Sequence, residues 1–475
     1  PPIAYALGPQ LAAAIAVVGT AALFEPLARR HFGEGAWIGA LWFAAGAATD
    51  LFTGRLTFAF GLLGAAAAVL ALSYRRRWLA SSLCVLTALA SPVAALFTAL
   101  AGLAYAAGWL GDSGHRRFAV RRTSDGLGID AGSTRPAPGP LAGIAMAIAS
   151  LVPVLILAVV FPEGGTEPFS FSAFWPIPVV AVLLLLSLPR QAWTLRAGIV
   201  LYAVGCVLAY AIPTAVGSNA ARLGTLLAGP LAALLMWRRH RTVLLLAFLP
   251  LLYIQTQAAV RDATQPGGPA TTSAYFRPLL AFLGRQPVQP FRIEIPFTAD
   301  HWEAYEVAPH FPLARGWERQ LDIEDNSLFY NGTLSAATYD AWLHRVAVRF
   351  VAVADASLDY SARAEVALID RGLPYLRPVW HSRHWRVYAV AHPTPIVQGA
   401  ALRALGPDSL TIAARAPGTF FVHVRFTPYW ALSGGRGCVA PDGDFTRVTL
   451  RRAGVVRLVI RFALDRIQAR SPRCT

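Results

Sequence analysis

Long apolar runs fill the first 258 residues, and this pattern limits the possible folds more than any other feature. Runs of helical length lie at roughly 3–24, 36–49, 56–74, 78–90, 93–110, 142–161, 174–188, 195–212, 222–236 and 242–258. A helix that crosses a bilayer needs about 20 mostly apolar residues, because lipid cannot satisfy backbone polar groups. Several of these runs are shorter than that. The sequence therefore predicts a mainly α polytopic membrane domain over 1–258, with about ten transmembrane or re-entrant helices.

The chain changes character after residue 258. The whole sequence is only 14% charged, whereas a soluble domain has about 25% charged residues. A Gly-, Pro- and Thr-rich linker at 265–272 leads into a mixed composition, with segments typical of strands at 291–297, 350–354 and 385–390 and of helices at 274–283, 336–345 and 360–371. From about 396, short apolar runs alternate with turn residues. We expect an α/β domain over 259–395 and a small β-sandwich over 396–475.

The formal net charge of +16 comes from arginine, since the sequence contains no lysine. The arginine clusters lie in short connections beside apolar runs, at 29–30, 75–77, 116–117, 121–122 and 238–241. This distribution is typical of the positive-inside rule for membrane proteins and does not indicate a nucleic-acid groove. It places these clusters in the cytoplasm and, by alternation, the loops 50–55, 162–173 and 213–221 and a turn that breaks the apolar runs at Ser91-Pro92 on the outer face. Everything after 258 is then predicted to be extracytoplasmic.

Polar residues at the ends of two apolar runs are the first candidates for a site. Asp50 follows one run and Arg55 lies five residues later; a carboxylate at the outer membrane face can act as a general base. The alternative is an exposed helix end with the two residues paired. Asn219 and Arg222 lie three apart at the start of another run, so one helix face could present an amide and a guanidinium to a phosphate or sugar. The alternative is an arginine that reaches lipid headgroups.

Two acidic residues, Glu163 and Glu167, lie in a loop with a run of aromatic residues. Aromatic rings beside carboxylates suit a sugar-binding site, and they equally suit the aromatic belt at a membrane interface.

The most polar stretch, 300–325, contains His301, Glu303 and Arg315, which we predict to line a ligand cleft. The alternative is an ordinary surface loop. The histidines and acidic residues have no HxxxH or HExxH spacing, so no metal is assigned. Cys438 and Cys474 both lie in the predicted extracytoplasmic part, where they could form a disulfide.

Several segments carry a resemblance to a known group. They are TGRLTFAFGLLGAAAAVLAL at 53–72, LTALASPVAALFTALAGLAYA at 86–106, VGSNAARLGTLLAGPL at 216–231, HWRVYAV at 384–390 and FVHVRFTPYWAL at 421–432. In these the chain resembles bacterial GT-C superfamily membrane glycosyltransferases, more closely an actinobacterial branch, and its tail is similar to that of proteins that glycosylate lipoteichoic acid.

The resemblance implies a multi-pass protein of the bacterial plasma membrane that transfers a sugar from a polyprenyl-phosphate donor to a cell-envelope polysaccharide acceptor on the outer face. It also implies a possible divalent cation, Mg or Mn. Such enzymes keep an essential acidic residue in the first extracytoplasmic loop. We expect that this part of the protein precedes the present chain, which leaves Asp50 as the nearest candidate. The alternative functions are a transporter or flippase, with charges at mid-membrane, and a non-catalytic scaffold that binds envelope glycans.

Overall fold

A computed structural model describes residues 2–119, 139–161, 164–237, 240–264, 268–288 and 290–462. The chain divides into two compact units, Pro1–Gln265 and Pro266–Thr475. The division falls inside the linker predicted at 265–272.

The first unit is helical. Its described helices are α1 (Pro2–Leu7), α2 (Pro9–Phe32), α3 (Ala36–Phe52), α4 (Leu56–Ser73), α5 (Arg77–Ala90), α6 (Pro92–Ala119), α7 (Pro140–Val160), α8 (Phe171–Phe174), α9 (Pro176–Ser187), α10 (Trp193–Ala211), α11 (Ala221–Met236) and α12 (Arg241–Thr264). Each predicted apolar run coincides with one of them. The break expected before Pro92 is present, because Ser91 has an extended conformation between α5 and α6.

Within the described ranges, seven helical segments are long and apolar enough to cross a membrane. They lie in α2, α4, α6, α7, α10, α11 with the turn before it, and α12; the shorter apolar helices are α3, α5 and the segment Phe171–Ser187. Leucine, isoleucine and valine side chains are widely exposed along these helices, as a lipid-facing surface requires. These features indicate a multi-pass membrane protein whose apolar helices are compatible with contact with a lipid bilayer.

Small residues allow the helices of this unit to pack closely. A Cβ atom added to Gly143 on α7 would lie 2.3 Å from the carbonyl oxygen of Gly102 on α6. Close approach of this kind is a main source of helix association in membranes. Gln255 on α12 adds a polar link, because it accepts a hydrogen bond from Trp42 Nε1 at 2.7 Å and donates one to the Leu226 carbonyl oxygen at 3.1 Å. These contacts join α3, α11 and α12 beside the candidate site.

The second unit begins with an α/β part. Its helices are α13 (Ser273–Gly284), α14 (Trp302–Glu306), α15 (Arg319–Asp325), α16 (Ala336–Arg345) and α17 (Arg363–Asp370), and its strands are β1 (Arg292–Glu294), β2 (Val348–Ala354), β3 (Leu376–His381) and β4 (Trp385–Val390). The sheet has the order β1-β2-β4-β3, with β1 parallel to β2 and the other pairs antiparallel. The residues of β2 are mostly buried because this strand lies inside the sheet.

Two further sheets follow. One has the order β7-β10-β9 and the other β5-β6-β11-β8. The strands are β5 (Ala401–Leu405), β6 (Ser409–Ala414), β7 (Gly418–Arg425), β8 (Trp430–Ser433), β9 (Gly437–Asp442), β10 (Phe445–Leu450) and β11 (Gly454–Ile460). One hydrophobic core contains residues of both sheets, among them Val422, Val448, Ile412 and Leu458. The region after 396 is therefore two small packed sheets.

Candidate functional site

A cavity of about 610 Å³ lies at one end of the helices of the first unit. The last turn of α3, the start of α4, the start of α11 and the carboxyl-terminal half of α12 surround it. Its described lining residues are Thr49, Asp50, Thr53, Arg55, Arg222, Thr225, Leu226, Tyr253, Ile254, Gln255, Thr256, Gln257, Ala258, Val260 and Arg261. Three predicted site residues, Asp50, Arg55 and Arg222, are thus brought together from distant parts of the sequence.

Asp50 is the buried carboxylate of this cavity, with only 4% of its surface exposed. The chain turns directly after it: the Thr53 amide donates to the Thr49 carbonyl oxygen at 3.0 Å, and the Arg55 amide donates to the Asp50 carbonyl oxygen at 2.9 Å. This turn places Arg55 Nη1 3.9 Å from Asp50 Oδ1. A single contact of that length leaves the carboxylate able to accept a hydrogen bond from another group.

Arg222 lies in the first turn of α11, with its guanidinium carbon 5.3 Å from the centre of the Phe58 ring. Asp50, Glu167 and Arg55 all lie within electrostatic range of it. No carboxylate of the described residues lies within the 4.0 Å ion-pair distance of the Arg222 guanidinium. The described lining of the cavity therefore contains three arginines, Arg55, Arg222 and Arg261, and one carboxylate, Asp50, so the cavity favours an anion.

Glu167 joins two of the loops predicted on the outer face. Its amide donates to the Thr214 carbonyl oxygen at 3.0 Å, and Ser218 Oγ donates to its Oε1 at 2.8 Å. Gly217 has a positive φ of 36°, and a Cβ atom there would lie 1.8 Å from the Glu167 carbonyl oxygen. Only glycine fits this approach. Glu167 therefore holds the loop that precedes Arg222.

The structure does not bring Asn219 into the described lining of this cavity with Arg222, so its proposed role stays a prediction. Asn219 lies in a 3₁₀ turn, Gly217–Ala220, before α11 begins. Its side-chain amide donates back to the Ala215 carbonyl oxygen at 3.5 Å. Among the described residues that line the cavity, Asn219 is not present.

The aromatic residues of the acidic loop pack on each other. Phe174 stacks on Tyr210 with ring centres 4.3 Å apart, and Phe169 and Phe171 lie around the same tyrosine. Phe171 is 65% exposed, as expected of an aromatic belt. Glu163 lies outside the described residues, so its role stays a prediction.

In the second unit, the structure gives Arg315 and Glu303 structural roles. Arg315 is 2% exposed and its guanidinium lies between the Phe297 and Phe329 rings, 4.1 and 3.8 Å from their centres. Glu303 is 1% exposed and accepts a hydrogen bond from Thr298 Oγ1 at 2.5 Å. Neither side chain is accessible to a ligand from solvent, so the prediction that they line a cleft is wrong.

His301 is the exception among the three predicted cleft residues, because its side chain is 20% exposed. It has a left-handed backbone with φ of 54° just before α14, and its Nδ1 lies 3.3 Å from Glu303 Oε1. The loop before α14 thus holds the His301 ring next to Glu303, and its predicted role in ligand binding stays a prediction.

A network of buried charges surrounds Arg315. Its Nη2 lies 2.6 Å from Asp322 Oδ2 and its Nη1 lies 3.3 Å from Glu365 Oε2. Burial raises the pKa of Glu365, and Arg315 opposes that rise. Burial and the neighbouring Glu365 raise the pKa of Glu294 well above its usual range. Neither carboxyl oxygen of Glu294 has a hydrogen-bond partner among the described groups, which agrees with a neutral, protonated carboxyl at this position.

Several residues of the cavity lining were not predicted, although the sequence around them contains a recognisable pattern. Thr49 and Thr53 flank Asp50 on the same helix end, and Thr225 follows Arg222 by three residues. Threonines beside a charge at the end of an apolar run are the pattern that could have identified them. Tyr253 and Arg261 on α12 had no such signal, because only the packing of α12 against α3 brings them to the cavity.

Metal-binding potential is low in this cavity. No group of three or more His, Cys, Asp or Glu residues able to hold a metal occurs in the described parts of the chain. The described cavity lining contains one carboxylate, Asp50, and three guanidinium groups, which repel a cation. The described residues therefore do not fit the divalent cation that the resemblance implies. Cys438 lies on β9, and Cys474 lies outside the described residues, so their disulfide stays a prediction.

No protein-family model matches the chain, and a search of curated proteins finds no match. The resemblance to GT-C glycosyltransferases therefore stays a prediction.

Proposed function

We propose that the protein is an integral membrane glycosyltransferase, which moves a sugar from a polyprenyl-phosphate donor to a cell-envelope acceptor. The observation that carries this proposal is the cavity of about 610 Å³ in which Asp50, Arg55 and Arg222 meet at the ends of apolar helices. A lipid-linked donor needs an apolar wall for its chain and a cationic end for its phosphate. This cavity offers both within one helical unit.

In the proposed reaction the phosphate of the donor binds Arg222 and Arg55. Guanidinium groups bind phosphate oxygens through paired hydrogen bonds and neutralise the charge that develops when the phosphate leaves. The acceptor hydroxyl donates its proton to Asp50 as its oxygen forms a bond to the anomeric carbon of the sugar. The bond between that carbon and the phosphate oxygen breaks, and polyprenyl phosphate leaves. Asp50 then releases the proton to water.

The proposed site lies on the outer face of the bacterial plasma membrane. Support comes from the described arginines at 29–30, 75–77 and 241, which lie at the opposite ends of the helices from Asp50 and Arg222. The same rule puts the second unit outside the cell, where it would bind the acceptor polysaccharide.

This orientation is tested by replacing an exposed residue of the second unit, Asp300→Cys. A membrane-impermeant thiol reagent should label this cysteine in intact cells, and the parent chain gives the background from the native thiols. Labelling that appears only after lysis would place the second unit in the cytoplasm and contradict the proposed face.

The catalytic roles are tested by measuring sugar transfer from polyprenyl-phosphate donors in membranes that contain Asp50→Asn or Arg222→Ala. We expect each variant to lose transfer by a factor of about 100 or more, the usual contribution of a positioned base or a charge clamp. Arg222→Lys should recover only part of the activity, because an ammonium lacks the paired donors. The matched control is Arg241→Ala at the opposite end of α12, where the arginine is exposed and packs on Trp237.

Undiminished transfer by Arg222→Ala would refute the proposed role of the cavity. Two alternatives then have their own readouts. A flippase would move a fluorescent lipid-linked sugar across proteoliposomes without forming a glycosidic bond. A scaffold would bind envelope glycans and catalyse neither process.

A further inference from the structure

The second unit contains a cleft that the proposed catalytic cavity does not use. It has a volume of about 360 Å³ and lies where the α/β part meets the two packed sheets. Its described lining includes Arg292, Trp317, Glu318, Asp325, His423 and Arg425.

Arg292 is a partly buried cation that forms no ion pair with an acidic residue of the described ranges. Its Nη1 donates to the carbonyl oxygens of Val346 and His423, the latter at 2.7 Å. No carboxylate within the described ranges forms an ion pair with it. Burial and the neighbouring Arg425 lower its pKa to about 10, so it stays charged at neutral pH.

The other charges of the cleft are already compensated. Arg425 Nε lies 3.0 Å from Asp325 Oδ2, and the Asp322 carboxylate is bound to Arg315. His423 is held between the Arg345 carbonyl oxygen and Gln398, and burial lowers its pKa, so the ring is neutral. The remaining charge is Glu318, which is exposed at the edge of the cleft. Arg292 is therefore a cation of the cleft lining that no described carboxylate neutralises by an ion pair, and it can bind an anion there.

Trp317 gives the cleft a second property. Its side chain is 59% exposed although it lines the cleft. An exposed indole in the same cleft as a partly buried cation offers an apolar face to the C–H groups of a sugar ring while the cation binds an acidic substituent. An inorganic anion has no apolar surface that could pack on the indole ring.

We propose that this cleft binds an anionic sugar unit, with its carboxylate or phosphate at Arg292 and its ring on Trp317. The proposal deepens the proposed function and rests on it, because it gives the chemical class of the acceptor: an acidic envelope polysaccharide.

The test is calorimetric binding with the purified full chain in detergent. The ligands are glucuronate for a carboxylate, glucose 6-phosphate for a phosphate, glucose as the uncharged control, and inorganic phosphate. We expect at least one acidic sugar to bind about tenfold or more tightly than glucose, and its affinity to fall as salt rises. Tighter binding of glucuronate would identify a carboxylate as the acidic group, and tighter binding of glucose 6-phosphate would identify a phosphate. Equal affinities for glucose and both acidic sugars would overturn the proposal.

Variants separate the site from a structural role of Arg292. Trp317→Ala should weaken both acidic sugars and leave phosphate binding unchanged, whereas the control Tyr305→Ala, 73% exposed and absent from the cleft lining described here, should change neither. Arg292→Gln should bring the acidic sugars to the affinity of glucose. If that variant does not fold, Glu318→Gln replaces it, because removing the exposed carboxylate should tighten the acidic sugars by about threefold.

If Arg292 has only a structural role, Glu318→Gln should leave the affinity for the acidic sugars unchanged. An unchanged affinity would overturn the proposal. The Arg222→Ala variant distinguishes the two proposals of function. It should lose transfer and keep binding at the cleft. Binding without any transfer by the parent chain would contradict the glycosyltransferase proposal alone, and transfer without preference for acidic sugars would contradict the cleft proposal alone.

Discussion

Replacement of Arg315 by methionine should destabilise the second unit strongly. Its side chain is fully buried, at 0% exposure, and its Nη2 lies 2.6 Å from Asp322 Oδ2. Removing one partner of a buried ion pair costs about 3–5 kcal/mol, because the other charge stays buried without compensation. The contacts with the Phe297 and Phe329 rings add up to about 2 kcal/mol. The unfolded fraction of the unit should therefore rise by roughly a hundredfold or more.

The matched control is Arg386→Met. Arg386 Nη1 lies 2.7 Å from Asp370 Oδ1, almost the same distance, but the two side chains are 49% and 47% exposed. Water screens such a pair, so its loss should change the free energy of unfolding by about 0–1 kcal/mol. Pulse proteolysis of the full chain in detergent, across a urea series, gives the midpoint at which the second unit becomes cleavable. If the urea midpoint falls no further in Arg315→Met than in Arg386→Met, the reasoning is refuted.

The loss of unfolding free energy in Arg315→Met should also depend on pH. Burial raises the pKa of both Glu294 and Glu365, and Arg315 lowers both values, so its removal raises them further. A carboxyl whose folded pKa is raised contributes stability at low pH that is lost as the pH rises through that pKa. The deficit should therefore be larger at pH 8 than at pH 5. A deficit that stays constant across this range would contradict the assignment of a shared buried charge network.

Three further predictions concern single contacts. Burial raises the pKa of Asp359, but hydrogen bonds, chiefly from Arg319, bring it from 3.8 to about 2; Asp359→Asn should cost about 2 kcal/mol at pH 7, and the urea midpoints of variant and parent should converge as the pH falls through this interval. Gly143→Val should lower the detergent melting temperature, because its Cβ would meet a backbone oxygen at 2.3 Å, whereas Gly205→Ala, with open space around its Cβ, should not. Gln255→Leu should cost about 1–3 kcal/mol by leaving a buried indole N–H unpaired, measured by the same melting assay; unchanged melting would show that water or another group replaces the amide.

The sequence was informative wherever a segment's own residues decide its structure. The apolar runs coincide with helices of the first unit, and α16 (Ala336–Arg345) and β4 (Trp385–Val390) begin and end where their patterns predicted. Strands β3, β5, β8 and β9 were missed. Proline at 378 in β3 and the largely exposed residues of β5 hide the alternation that normally marks a strand, because partners from other parts of the chain complete the sheet.

The amino-acid sequence by itself determined the apolar helices of the first unit, since a segment compatible with lipid must satisfy its backbone polar groups within itself. It also gave Asp50, Arg55 and Arg222 as candidates, because charges at the ends of apolar runs are costly without a function. Only the tertiary structure decided that these three meet in one cavity, that Asn219 is absent from its described lining, and that Arg315 is buried. The physical reason is that contacts between distant segments depend on how helices and sheets pack, and no local pattern records that packing.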